Sequence, residues 1–274
     1  MPLPIRCRAG LLCLVFSLVL PAAARAALPV RAAIVLNMNT GRVLHEYNAD
    51  LVVPPASLTK VMTMFLCLDA VKAGWLSLNK KIKISRLAVA AGGSSMHLRA
   101  DESVPLATLL TGMAVTSGND AATTIALCVA RGNMPKFVAS MNRKARALGM
   151  RRTMFQNPTG LPAGAQKTSA RDMALLAQTY LGTHPTAGRF HSTPVFAHNG
   201  LTMQNTNALL GVVPGVNGLK TGFTVASGYN IIVTAVRGKT RLLAVVLGGR
   251  SRAARDETAR RLIEDGFSRT SAAK

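Results

Sequence analysis

Apolar and polar positions divide this chain into strand-like ends and a helical middle. Residues 32–36, AAIVL, and 42–47, RVLHEY, flank Asn39-Thr40-Gly41 and predict a β-hairpin. Far downstream, YNIIVTAV (229–236) and TRLLAVVLGG (240–249) flank Arg237-Gly238-Lys239 and predict a second hairpin. Between the two, residues 56–73, about 106–113, 120–131, 135–148 and 169–181 read as helices. A last helix, about 252–266, would cover the sheet. The expected class is α/β in the α+β sense: one antiparallel sheet formed by N- and C-terminal strands, covered by helices, with an inserted helical lobe. No repeat, low-complexity tract or long linker interrupts it.

The first residues follow a different rule. Arg6 and Arg8 precede the apolar run GLLCLVFSLVL (10–20), and in the PAAARAA that follows, Ala24-Arg25-Ala26 fits the small-x-small pattern of a cleavage site. The run is too short to span a bilayer. Residues 1–26 are therefore expected to be a signal peptide cut after Ala26. Residues 27–274 would form a single domain, with no additional C-terminal β-domain and no stable membrane anchor, soluble in the periplasm or cell envelope.

Charge and cysteine content narrow the partners. Removing the three arginines of the leader lowers the formal net charge from +22 to +19. The cations are scattered, and an exported protein rarely meets nucleic acid, so the charge reads as retention near an anionic envelope and nucleic acid is not an expected partner. Cys7 and Cys13 leave with the leader; Cys67 and Cys128 fall in apolar helical stretches, either as buried thiols or as a bridge. The five histidines are dispersed, without Cys/His metal spacing, so neither a metal nor a cofactor is expected.

PPASLTK (54–60) places Ser57 and Lys60 one turn apart at the head of an apolar helix. At 100° per residue Ser57, Lys60, Met64, Cys67, Leu68 and Val71 lie within about 100° of one another. The other faces are apolar too, which buries Lys60. Burial lowers a lysine pKa and a nearby cation lowers it further, making the neutral amine available as a base. The alternative is a helix N-cap at Ser57 with Lys60 reaching solvent. Spacing alone does not decide, because Ser77-Lys80 and Ser271-Lys274 share it, but only Ser57 has an apolar context.

Two further segments bear on the choice. AVTSGNDAA (114–122) sets Ser117 and Asn119 in a polar loop between two apolar helices, where the plain reading is a helix cap with Asn119 or Asp120 starting the next helix. NGLKTGFT (217–224) sets Lys220-Thr221-Gly222 beside the strand YNIIVTAV, where a strand-end turn is the plain reading. Taken in order, Ser57-x-x-Lys60, Ser117-Gly118-Asn119 and Lys220-Thr221-Gly222 match the three-part signature of penicillin-binding proteins and serine β-lactamases. Together with FQNPTGLP, TSARDMA, SGYNIIVTAV and LGGRSRAARDE, they make residues 30–268 resemble the D-alanyl-D-alanine carboxypeptidases of the low-molecular-mass penicillin-binding proteins.

That resemblance implies a β-lactamase/transpeptidase-like fold and a serine hydrolase acting on peptidoglycan stem peptides ending in D-Ala-D-Ala, inhibited by β-lactams. Ser57 would be the nucleophile, Lys60 the general base and Ser117 a proton relay, with Asn119 holding Lys60 and substrate. The N–H groups of Ser57 and Phe223 would form an oxyanion hole. Lys220, Thr221 and Gly222 would line the site of the substrate carboxylate, and Arg255, or Arg250, would pair with it. Phe223 stands where relatives often carry histidine. A DD-endopeptidase that cuts cross-links is the alternative, and an inactive wall-binding module a further one. A class A β-lactamase needs a deacylating glutamate, and none occurs between Glu102 and Glu257.

Overall fold

The computed structural model describes residues 28–271, so the expected leader lies outside them. The order is β1 (Ala32–Asn37), β2 (Val43–Tyr47), a 3-10 turn (Ala56–Thr59), α1 (Lys60–Lys72), β3 (Lys81–Lys83), α2 (Arg86–Val89), β4 (Ser103–Pro105), α3 (Leu106–Val115), α4 (Asn119–Val129) and α5 (Met134–Ala147). There follow α6 (Ala170–Thr183), a second 3-10 turn (Pro185–Ala187), α7 (Gly188–His191), β5 (Val195–His198), β6 (Leu201–Gln204), β7 (Val216–Thr224), β8 (Gly228–Arg237), β9 (Thr240–Gly249) and α8 (Arg252–Ser271).

Five antiparallel strands form the main sheet in the order β2-β1-β9-β8-β7, so the first strands of the fold pair with the last. Alternation of side chains sends Ile34, Ile232, Leu243, Val245 and Leu247 to one face, against the helical lobe. Ala33, Val35, Ile231, Val233, Ala244 and Val246 face the other way, toward Ala259, Ile263 and Phe267 of α8. Both faces are covered, which is why LLAVVL has no polar position.

The expected helices and both hairpins form. Lys220-Thr221-Gly222 differs: it lies inside β7, a nine-residue edge strand paired to β8, and not in a turn beside it. Two small sheets, β3-β4 and β5-β6, also escaped the sequence pattern because three- and four-residue strands are too short to show a period. α1 is buried nearly all round, Lys60 included, and reaches α3, α4, α5 and α6. The cleft forms where the head of α1 meets the free edge of β7.

Candidate active site

Ser57 occupies the 3-10 turn that leads into α1, after Ala56, whose φ of 48° turns the chain sharply there. The site it enters is compressed by two glycines. A Cβ on Gly222 would lie 2.8 Å from the Ser57 nitrogen, and one on Gly160 would collide with the Ala56 carbonyl. Only glycine lets β7 and the 155–161 loop close on the serine from two sides.

Lys60 is fully buried, and its Nζ lies 2.9 Å from Ser57 Oγ, 2.6 Å from Asn119 Oδ1 and 2.6 Å from the Thr159 carbonyl oxygen. Burial is the largest cause holding its pKa well below the usual lysine range; the Lys220 charge adds to this and Asp120 opposes it. A neutral amine has two N–H bonds and one lone pair. Asn119 Oδ1 and the Thr159 carbonyl only accept, so they take both N–H bonds. In that neutral form the lone pair is left for the Ser57 hydroxyl, whereas an ammonium donates to it.

The groups around the amine are themselves fixed. Asn119 Nδ2 donates to the Gly92 carbonyl at 2.7 Å, which sets its amide with Oδ1 toward Lys60. Asp120 accepts from the backbone N–H of Met96 and Leu98 and from Ser95 Oγ, tying the 92–98 loop to the start of α4. Thr159 is held by Asn157 Oδ1, which accepts from its N–H and hydroxyl and from the Gly160 N–H. Thr63 Oγ1 donates to the Pro158 carbonyl at 2.7 Å and clamps that loop to α1.

Ser117 is buried with φ 65°, a left-handed conformation that costs a serine of order 1 kcal/mol or more, and its Oγ has no hydrogen-bond partner among the described residues. On the opposite wall Lys220 is buried, its Nζ donating to the Thr221 carbonyl at 3.0 Å. Burial, then the Arg255 charge, bring its pKa down to about 7. Thr221 Oγ1 donates to Thr206 Oγ1 at 2.7 Å. Arg255 is buried at the start of α8, its Nε donating to Asp256 Oδ1 at 2.8 Å. Phe223 is half exposed and stacks on Tyr229, with ring centroids 4.3 Å apart. Arg250 lies in the loop between β9 and α8.

Thus Ser57, Lys60 and Asn119 are in direct contact, Lys220 acts on Lys60 through its charge, and Arg255 acts on Lys220 in the same way. Sequence reasoning missed the Thr159 carbonyl, for which Asn157-Pro158-Thr159-Gly160 was the turn signal, and His191. The latter is buried beneath β7 between the Leu219 carbonyl and Tyr180 Oη, at 2.9 and 3.1 Å.

The family model described as D-alanyl-D-alanine carboxypeptidase matches residues 21–251. This chain belongs to that family. The D-alanyl-D-alanine carboxypeptidase DacA of Escherichia coli K12 is 39% identical over 241 residues, covering 85% of this chain and 60% of that protein. DacF of Bacillus subtilis, of the same description, is 34% identical over 247 residues, covering 87% and 62%. The chain therefore spans about three-fifths of the length of these curated relatives. Penicillin-binding protein D2 from Listeria monocytogenes, solved in an ampicillin-bound form, superposes with a TM-score of 0.80 at 35% identity, covering 89% of this chain and 99% of that one. Family and fold are those the three motifs implied. Among the described residues no helix is long and apolar enough to cross a membrane.

Proposed function

We propose that this protein is a serine-type D-Ala-D-Ala carboxypeptidase that trims the terminal D-alanine from peptidoglycan stem peptides in the cell envelope. The observation that carries this reading is the Lys60 amine, wholly buried, with its Nζ 2.9 Å from Ser57 Oγ and 2.6 Å from each of two acceptors, Asn119 Oδ1 and the Thr159 carbonyl oxygen.

Ser57 Oγ attacks the carbonyl of the penultimate D-alanine while its proton passes to Lys60. The oxyanion is received by the N–H groups of Ser57 and Phe223; β7 is an edge strand, so alternate N–H groups along it face the cleft. The C–N bond breaks as Ser117 relays a proton to the departing D-alanine nitrogen, and water then hydrolyses the ester. The unpartnered Ser117 hydroxyl suits that relay. The substrate carboxylate is held by Lys220 and Thr221, with Arg255 behind them. With a pKa of about 7, Lys220 gains charge when a carboxylate arrives, and that charge keeps Lys60 neutral. A β-lactam offers the same carbonyl and carboxylate and stops at the ester.

The test is release of D-alanine from a D-Ala-D-Ala tripeptide, with intact-mass detection of a penicilloyl adduct. Both should vanish in Ser57→Ala and persist in Ser77→Ala. Adduct formation in Ser57→Ala would overturn the assignment, and loss of cross-links without D-alanine release would replace it with endopeptidase action.

A further inference from the structure

The end of α1 farthest from Ser57 borders a second cavity. It has a volume of about 590 Å³ and opens where α1 and α4 end and α5 begins. Val129 and Phe137 give it an apolar floor. Trp75, the single tryptophan of the chain, stands at its rim 77% exposed. Arg131, Lys136 and Arg143 complete the rim, all exposed. None of the three has a carboxylate partner among the described residues; Arg143 donates only to Ser140 Oγ, at 2.7 Å. The acid in the lining, Asp69, is already engaged by Lys144 and His184, at 2.8 and 2.9 Å. The thirteen residues of α1 place this site about 20 Å from Ser57, so it does not belong to the catalytic cleft.

An exposed indole beside three uncompensated cations and an apolar hollow is a poor match to bulk water. It does match a membrane interface, where indole settles at headgroup level and Lys and Arg meet lipid phosphate. We propose that this face docks reversibly on an anionic phospholipid surface, with phosphate against Arg131, Lys136 and Arg143 and with Trp75 in the headgroup layer. The complement to the cations is the negative surface of the bilayer, and the hollow accepts an apolar group that an acidic polysaccharide lacks. This inference is independent of the substrate assigned to Ser57.

Because Trp75 is the only tryptophan, its fluorescence reports on this face alone. Vesicles of phosphatidylglycerol and phosphatidylcholine should shift its emission to the blue and carry the purified protein down on sedimentation, whereas pure phosphatidylcholine vesicles should do neither. Lys136→Glu/Arg143→Glu should weaken vesicle affinity at least tenfold. Lys239→Glu/Arg241→Glu, with the same charge change on the β8–β9 hairpin, should weaken it less than threefold. Trp75→Ala should also lose sedimentation, and all three variants should keep the wild-type rate of β-lactam acylation, which shows that they fold. Equal losses in the two double variants would reduce the effect to net charge and overturn the proposal. So would an unmoved Trp75 emission, or a shift with purified wall sacculi but not with vesicles.

Discussion

Adding one methyl group at Gly222 tests how closely β7 must approach the nucleophile. In Gly222→Ala the new Cβ would lie 2.8 Å from the Ser57 nitrogen and 3.2 Å from both Ala56 Cβ and the Leu58 nitrogen, where ordinary contact begins near 3.4 Å. About 0.6 Å has therefore to be found. The turn holding Ser57 cannot supply it, because the 155–161 loop presses on Ala56 from the other side at Gly160. β7 can, since it is hydrogen-bonded into the sheet along one edge only. Moving the strand displaces the Phe223 N–H from the oxyanion position proposed for it. Misplacement by about 1 Å costs on the order of 100-fold in rate, so acylation should fall about 10- to 100-fold. Overpacking of this kind costs about 1–3 kcal/mol, or about 2–12 °C in Tm for a chain of this length, which leaves the variant folded at 25 °C. The assay is stopped-flow acylation by a chromogenic β-lactam, with circular dichroism melts. Gly182→Ala, in α6 with open space around its Cβ, should keep full activity. A folded Gly222→Ala that acylates at the wild-type rate would refute the claim that this glycine sets the strand's approach.

Three other outcomes follow from the same geometry. Lys60→Arg should be nearly inactive, since a guanidinium cannot take the serine proton, while Lys220→Arg should retain measurable acylation because holding a carboxylate needs charge and not basicity; acylation rates across pH compare them. His191 is held down to a pKa of about 3, chiefly by burial, against an unfolded value of 6.5. The unfolded state therefore binds the proton first, so this contribution is complete above pH 6.5 and is lost as pH falls toward 3, at up to about 1.4 kcal/mol per pH unit. Urea titrations of His191→Asn should show a shallower acid loss than wild type, and identical slopes would contradict the assignment. Thr63→Val should lower stability by about 1–3 kcal/mol by leaving the Pro158 carbonyl unpaired, and should slow acylation by loosening Thr159; unchanged urea midpoint and rate would show that the clamp is idle.

Much of this architecture was legible because burial imposes periods on the sequence. Ile34, Ile232 and Val245 belong to strands covered on both faces, and the middles of such strands are apolar at most positions. Lys60 stood out because a lysine among Met64, Cys67 and Leu68 has no solvent to reach. What stayed hidden was carried by backbone. The Thr159 carbonyl has no side-chain signature, and its place beside Lys60 depends on a turn nearly 100 residues downstream. β7 was obscured for the reason it works: Gly218 and Gly222 weaken the strand signal, and Lys220 supplies charge where a buried strand ordinarily has none. Ser57 read equally well as a cap, and only the contact with Lys60 separates the two roles.

The pairing of β1 with β9 has a consequence for the order of events in folding. Ile34 lies opposite Val245, and Ala33 opposite Val246, so the central ladder joins segments more than 200 residues apart. Until β9 has been synthesised, β1 has no neighbour but β2, and a lone two-stranded hairpin is at best marginally stable in water. High contact order of this kind makes closure slow, since the entropy of the intervening loop must be overcome before the ladder gains anything. A nascent chain therefore cannot close its main sheet until its last strand is available.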